Sequence, residues 1–419
     1  MAWRSKRDMT REQQWAQGPL DMPFLMLTIL LMTIGLLMLL SASSYAAGME
    51  EVSNYDPAYY FKHQLSFAIA GTIIMYLVSR FDYQHLRWMS VPLLIVSIFM
   101  LIIVLLPIPL ISVVRNNARR WLNLIFVQFQ PSEIAKIAVV VFFSASLSKR
   151  PLTQLKAQKY AEKFPKRKPG QTNGTYLKDV YRWFSAKTGF GELIPYILVL
   201  GLIAFLLLLE PHMSGTLLIF AAAAAILFAS GVHVGWFVAG GLGVALLFFL
   251  LVVVGGYNSS RLDVWQDPWS DPQDKGYQII QSIYAVASGG LNGRGFGLSR
   301  QKYLYLPEEQ NDFIFAIVCE ELGFIGATLI IALFMMLILR GYYLALHARD
   351  RFGSLMVVGV TTLLAVQVFM NIAVVTNLIP ATGISLPFFS YGGTALIIQM
   401  AEMGLILSVS RQIPGPKHD

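Results

Sequence analysis

Residues 289–321 read GGLNGRGFGLSRQKYLYLPEEQNDFIFAIVCEE. The stretch begins as a glycine-rich, basic loop and ends as a hydrophobic helix. The Asp312 carboxylate stands where polar loop becomes apolar segment. Most of the chain on either side is apolar and of membrane-spanning length. Its 419 residues are 56% hydrophobic and 13% charged, with mean hydropathy +0.58. A soluble globular chain carries about 25% charged residues, so the composition predicts an all-α polytopic membrane protein. The polar N-terminus and long first apolar segment predict a retained anchor, because a cleaved signal has a shorter core and a small-residue cleavage site. The single cysteine, Cys319, excludes an intrachain disulfide.

A spanning helix needs about 20 mostly apolar residues. That rule picks out 22–46, 64–79, 89–111, 131–148, 192–209, 214–231, 234–255, 312–339, 354–379 and 388–409. These make ten transmembrane helices in a single membrane domain over 1–419, with both termini on one side. With the N-terminus inside, 22 of the 32 Lys and Arg fall on inner segments, and the positive-inside rule places both termini in the cytoplasm. The cytoplasmic loop 149–190 is basic and turn-rich, and reads as a solvated loop near anionic lipid, not a nucleic-acid patch. No internal repeat is evident, which weakens an inverted-repeat transporter. Between spans seven and eight lies a large extracellular loop, 256–311.

The other informative outer segment is Arg115-Asn-Asn-Ala-Arg-Arg-Trp121 and the residues after it. Arg119 and Arg120 lie outside against the positive-inside trend, and guanidinium forks suit diphosphate oxygens. Trp121 reads either as an interfacial belt residue or as a platform for a sugar ring. Pro131 suits the first turn of the fourth span. Glu133 and Lys136, three apart, share one helical face. Ionisable groups at membrane depth are costly unless paired or lining a wet cavity, so the two read as an internal ion pair or a substrate contact.

Within the long loop, residues 276–288 have helical spacing, with Gln278, Gln281 and Ser282 on a polar edge; Gln281 and Ser282 are candidate substrate contacts. The glycines at 289–297 superficially match a dinucleotide fingerprint, but Leu298 replaces the third glycine and no strand precedes it. A turn whose backbone amides approach an anionic headgroup is the remaining functional reading. Lys302 is a further outer cation. On local sequence, Asn311 and Asp312 read first as helix caps. Asp312, Ala316 and Glu320 share a face, so a polar track descends toward Glu320 and Glu321, and intramembrane carboxylates default to functional hypotheses. Pro380–Pro387 and Ser390–Thr394 break the helical pattern at the outer ends of the last two spans, a break tolerated where backbone lines a cavity.

Six motifs in order are similar to the SEDS family (shape, elongation, division and sporulation), which includes FtsW, RodA and SpoVE. They are ARRW at 118–121, FQPSEIAK at 129–136, GYQIIQS at 276–282, SGGLNGRGFGLS at 288–299, YLPEEQNDFIFAIVCEELGFIG at 305–326 and GISLPFFSYGGT at 383–394. The resemblance implies a peptidoglycan glycosyltransferase in the bacterial cytoplasmic membrane that polymerises lipid II outside and releases undecaprenyl diphosphate. It also implies a class B penicillin-binding protein, a transpeptidase, as partner. Asp312 matches the aspartate the family needs for activity, which reverses the order of the capping and catalytic readings. Trp121, Glu133 and Lys136 match retained positions, and Ser390 lies in the last motif. The acceptor hydroxyl needs a base, and the leaving diphosphate needs positive charge from Arg119, Arg120 and Lys302, with a divalent cation (Mg or Mn) as a further helper. Where the family often reads Pro-Asp-Leu-Gly-Thr, this chain has Pro211-His-Met-Ser-Gly-Thr216. The ending GLILSVSR at 404–411 favours the division and sporulation branch. Two rivals are a lipid II flippase, using Glu133, Lys136, Glu320, Glu321 and Glu402 as a polar path, and a non-catalytic scaffold recruiting the transpeptidase.

Overall fold

The structure, a computed structural model, describes residues 18–106, 112–115, 118–124, 127–149, 176, 179, 180, 183, 190–210, 212–248, 250, 259–274 and 276–413. Most of the basic loop 149–190 lies outside the described residues. Ten helices coincide with the ten expected segments: α1 (Met22–Met49), α2 (Tyr59–Arg80), α3 (Gln84–Leu105), α4 (Pro131–Leu147), α5 (Phe190–Leu209), α6 (Met213–Ala229), α7 (Val234–Phe248), α10 (Ile314–His347), α11 (Arg351–Val375) and α12 (Gly393–Ser410). Seven are long and apolar enough to cross a membrane by length and composition; α4, α6 and α7 are shorter, at 17, 17 and 15 residues. Two more helices, α8 (Ser259–Gln266) and α9 (Tyr277–Gly289), lie in the long segment before α10.

The all-α expectation gains one small sheet. Strands β1 (Ser112–Arg115), β2 (Ala118–Leu124) and β3 (Val127–Phe129) pair antiparallel in that order, with a bulge at Val113/Val114. Strands this short leave too few alternating positions to be read from periodicity.

Tertiary contacts sort the chain's turns into two ends. At one end a Cβ on Gly18 would lie 2.0 Å from the Arg411 carbonyl oxygen. Arg340 there pairs with Asp21 at 2.6 Å, Gln412 donates to Asp82 at 2.8 Å, and Arg351 donates to the Ser230 carbonyl at 2.6 Å. At the other end Arg120 reaches residue 210, Thr394 reaches residue 128 and Ser390 reaches residue 311. Every alternate turn meets its counterparts, as an even number of crossings requires.

Apolar side chains point outward at helical spacing: Ile69, Ile73 and Leu77 on α2, and Val91, Ile95 and Phe99 on α3, are all exposed. Surfaces of this kind need an apolar solvent. The interior is built from α4, α10, α11 and α12, whose Val139–Val141, Phe315–Val318, Met356, Val357 and Ile406 are buried. Without hydrophobic drive between helices in lipid, small residues let backbones approach. Gly404 on α12 is such a point, since a Cβ there would meet the Met75 carbonyl at 2.6 Å. At 34 residues α10 is about 51 Å long. It turns at Gly323, where φ is 65°.

Candidate active site

Asp312 sits in a series of turns that ends at Phe313, the residue flanking α10. The flanking position itself thus falls to Phe313, one residue after Asp312. The position of Asp312 comes from three consecutive carbonyls gripped by the broken segment between α11 and α12. Tyr391 donates its amide to the Gln310 carbonyl at 2.8 Å, and the Ser390 hydroxyl donates to that of Asn311 at 2.5 Å. Asn371, fully buried in α11, donates Nδ2 to the Asp312 carbonyl at 2.7 Å and to that of Ile384 at 2.8 Å. Gln64 of α2 closes the segment from behind, donating to the Ser390 carbonyl and accepting from Gly392, both at 3.2 Å. Asp312 Oδ2 faces Gly383, where even a Cβ would lie 3.6 Å away. Ser390 thus holds the backbone beside the carboxylate.

The opposite wall is β2, the start of α4 and the α5–α6 junction. Arg120 Nε donates to the Glu210 carbonyl at 3.1 Å. Gln130 Nε2 lies 3.4 Å from each ring nitrogen of His212, and Ser214 donates to the Thr382 carbonyl, next to Gly383. Thr394 at the head of α12 donates to the Gln128 carbonyl at 3.0 Å. The elements bearing Asp312 and Arg120 are therefore laced together. Lys136 and Glu133 pair at 2.7 Å with Lys136 buried, as their spacing predicted. Glu402 of α12, also buried, lies within electrostatic reach of both. Trp121 is half-buried on β2, paired across the ladder with Val113. Arg119 pairs by backbone with Val114; its side chain lies outside the described residues.

Three candidates serve the fold. The glycine-rich loop does not offer its amides to an outside anion. It clasps α10 at the Gly323 bend: Arg294 and Gly295 donate their amides to the Glu320 and Glu321 carbonyls at 3.0 Å, and Phe324 and Ile325 donate to Gly290 and Leu291 at 2.9 and 3.1 Å. A Cβ on Gly293 would lie 2.1 Å from the Glu321 carbonyl, so only glycine fits this approach. Glu320, 0% exposed, accepts from Arg294 Nη1 (3.0 Å), Ser288 (3.2 Å), Ser299 (2.5 Å) and the amides of Arg300 (3.0 Å) and Gln301 (3.2 Å). Glu321 accepts from Ser41 at 2.7 Å and lies 3.5 Å from Lys302 Nζ. Lys302 is 5% exposed and donates to the Gly297 carbonyl at 2.6 Å, so it stands inside the clasp and not on an anion-facing surface. Ser282 is fully buried and donates to the Val375 carbonyl at 2.8 Å, fixing α9 to α11; Gln281 beside it is half-buried.

Reasoning from sequence missed Glu210, His212 and Asn371 as members of the site. Asn371 had a legible signal, an amide inside an apolar span. Glu210 is 1% exposed and neither carboxylate oxygen finds a hydrogen-bond partner among the described residues. Burial pushes its pKa up to about 8 against the pull of Arg120. His212 is pushed down to about 3 by burial and by the charges of Arg120 and Lys136. Glu309, buried in the turns before Asp312, is raised to about 7 by burial and by Glu308 and Glu50. Among the described residues no three His, Cys, Asp or Glu gather as a metal cage. Magnesium is commonly held by one or two carboxylates plus substrate phosphates, which needs no such cage.

A family model described as cell cycle protein, FtsW/RodA/SpoVE, matches residues 22–414. Stage V sporulation protein E of Bacillus subtilis (strain 168) is 40% identical over 395 residues, covering 93% of this chain and 97% of the relative. The probable peptidoglycan glycosyltransferase FtsW of Geobacter sulfurreducens is 36% identical, covering 94% and 96%. Among solved structures, a chain from work on polymerization and crosslinking by a peptidoglycan synthase complex superposes with TM-score 0.69 at 26% identity, covering 96% of this chain and 99% of that one. The rod shape determining protein RodA of Thermus thermophilus has the same fold, with TM-score 0.63 at 23% identity over 94% of this chain and 98% of that one.

Proposed function

This chain belongs to the FtsW/RodA/SpoVE family of cell cycle proteins, and we propose that it is a peptidoglycan glycosyltransferase polymerising lipid II at the outer face of the cytoplasmic membrane, with Asp312 as the base. The observation that carries the assignment is the grip on the Gln310, Asn311 and Asp312 carbonyls. It presents the carboxylate to Gly383. Holding a reacting group in place this way supplies much of an enzyme's advantage.

In the reaction the 4-hydroxyl of an acceptor N-acetylglucosamine attacks C1 of a donor N-acetylmuramic acid. The new O–C1 bond forms as the bond from C1 to the diphosphate breaks, and Asp312 takes the hydroxyl proton. Arg120 supplies positive charge for the departing undecaprenyl diphosphate, Arg119 adds to it, and Trp121 offers a face to a sugar ring. A divalent cation, Mg or Mn, would neutralise diphosphate charge between Asp312 and the substrate. The clasp weakens the flippase alternative, because Glu320 and Glu321 are occupied by protein donors and are lost to a polar path. A class B penicillin-binding protein is the partner for crosslinking, and the similarity to stage V sporulation protein E supports a role in division or sporulation.

The test is polymerisation of purified lipid II in nanodiscs, with and without the transpeptidase. Wild type should make glycan; near-normal synthesis by Asp312→Asn would remove Asp312 from the mechanism.

A further inference from the structure

The Asp312 end of the bundle holds one buried carboxyl that the mechanism does not use. Glu210 closes α5 with both oxygens buried and unpartnered among the described residues. Its nearest cation, Arg120, donates Nε to the main-chain carbonyl of the same residue at 3.1 Å. Arg120 and Lys136 also act on His212 at the start of α6, and Lys136 lies with its partner Glu133 on α4 and within reach of Glu402 on α12. Fully ionised, this cluster would hold three carboxylates against Arg120 and Lys136, and would repel an anion. An ionised carboxylate without hydrogen bonds in a dry site is costly, whereas the protonated acid is tolerated.

We infer that Glu210 is a positioning residue whose uncharged carboxyl leaves the Arg120 charge uncancelled, so that the diphosphate of a polyprenyl-linked substrate is gripped only while Glu210 holds its proton. The inference rests on the proposed reaction and adds to it what sets the charge of the leaving-group site. Glu210 acts through Arg120: its carbonyl orients the guanidinium, and its carboxyl either leaves that charge available or cancels it. Deprotonation above about pH 8 sets a carboxylate beside Arg120 and cancels its charge. The ligand itself gains negative charge as pH rises, which by itself strengthens binding to cations. A loss of affinity at high pH must therefore arise in the protein.

The experiment measures binding of undecaprenyl diphosphate to the full chain in nanodiscs at pH 7.0 and 9.5, beside glycan synthesis by the same preparation. Wild type should bind on the order of tenfold more weakly at pH 9.5. In Glu210→Gln the ratio between the two affinities should collapse to about one. Arg120→Gln should bind weakly at both pH values and also lose the dependence, and it serves if Glu210→Gln does not fold. Glu309→Gln, which removes a raised carboxyl outside this wall, should keep the wild-type ratio. A wild-type ratio near one, or an unchanged ratio in Glu210→Gln or in Arg120→Gln, overturns the inference, as does its collapse in Glu309→Gln. Absence of glycan synthesis in wild type would instead count against the proposed function.

Discussion

Glu320 and Glu210 are both shielded from solvent at the Asp312 end of the bundle, yet they are opposite in their surroundings. Glu320 accepts five hydrogen bonds, from two serines, an arginine and two amides. Among the described residues Glu210 accepts none through its carboxylate, and its neighbouring arginine binds its main chain. A saturated buried carboxylate is a structural joint, because its donors are already spent and moving any one costs the others. A bare one is a reservoir for a proton or a waiting partner. The contrast separates the glycine-rich clasp, which builds the fold, from the Asp312–Arg120 wall, which serves the reaction.

The sharpest way to break this division is Asp312→Asn. Glycan synthesis should fall by about 10²–10⁴-fold, while thermal stability stays near wild type because asparagine keeps the shape and caps a helix about as well as aspartate. A stability loss matching the activity loss would move Asp312 to the structural side. Next in size is Glu320→Ala, which leaves Arg294 and four other donors without their acceptor. We expect about 3–5 kcal/mol of destabilisation, read by thermal unfolding in detergent, with activity per folded molecule little changed. Asn371→Ala tests the grip on Asp312 directly. It should cost about 1–3 kcal/mol in stability and up to about 100-fold in rate through misplacement of the carboxylate; lipid II turnover kinetics separate the two.

The smallest effect is on stability against pH, and its sign follows from which state holds more protons. Glu210 and Glu309 keep theirs to about 8 and about 7, whereas unfolded carboxyls release them near 4.5. Their contribution is therefore full below about pH 4.5 and is lost as pH rises toward 8. His212 runs the other way: depressed from 6.5 to about 3, it contributes above pH 6.5 and loses that contribution as pH falls. Melting curves from pH 4 to 9 should show a decline between about pH 4.5 and 8, steepest just above pH 6.5 where His212 no longer offsets it, and flattened in Glu210→Gln and Glu309→Gln.

The sequence by itself determined the ten apolar segments, the pairing of Glu133 with Lys136, and the place of Asp312 where loop becomes helix. Each depends on residues within one helix length, where periodicity and spacing are enough. Only the tertiary structure decided which charges are spent. Ser41 and Glu321 are 280 positions apart and share a hydrogen bond. Lys302 is an outer cation in the sequence and an interior one in the fold. Asp312 is a cap by local pattern, yet the residues that hold it, Asn371, Ser390 and Tyr391, come from 59 to 79 positions away. Whether a buried acid is a joint or a reagent depends on which donors reach it, and distant segments bring those donors only when the helices pack.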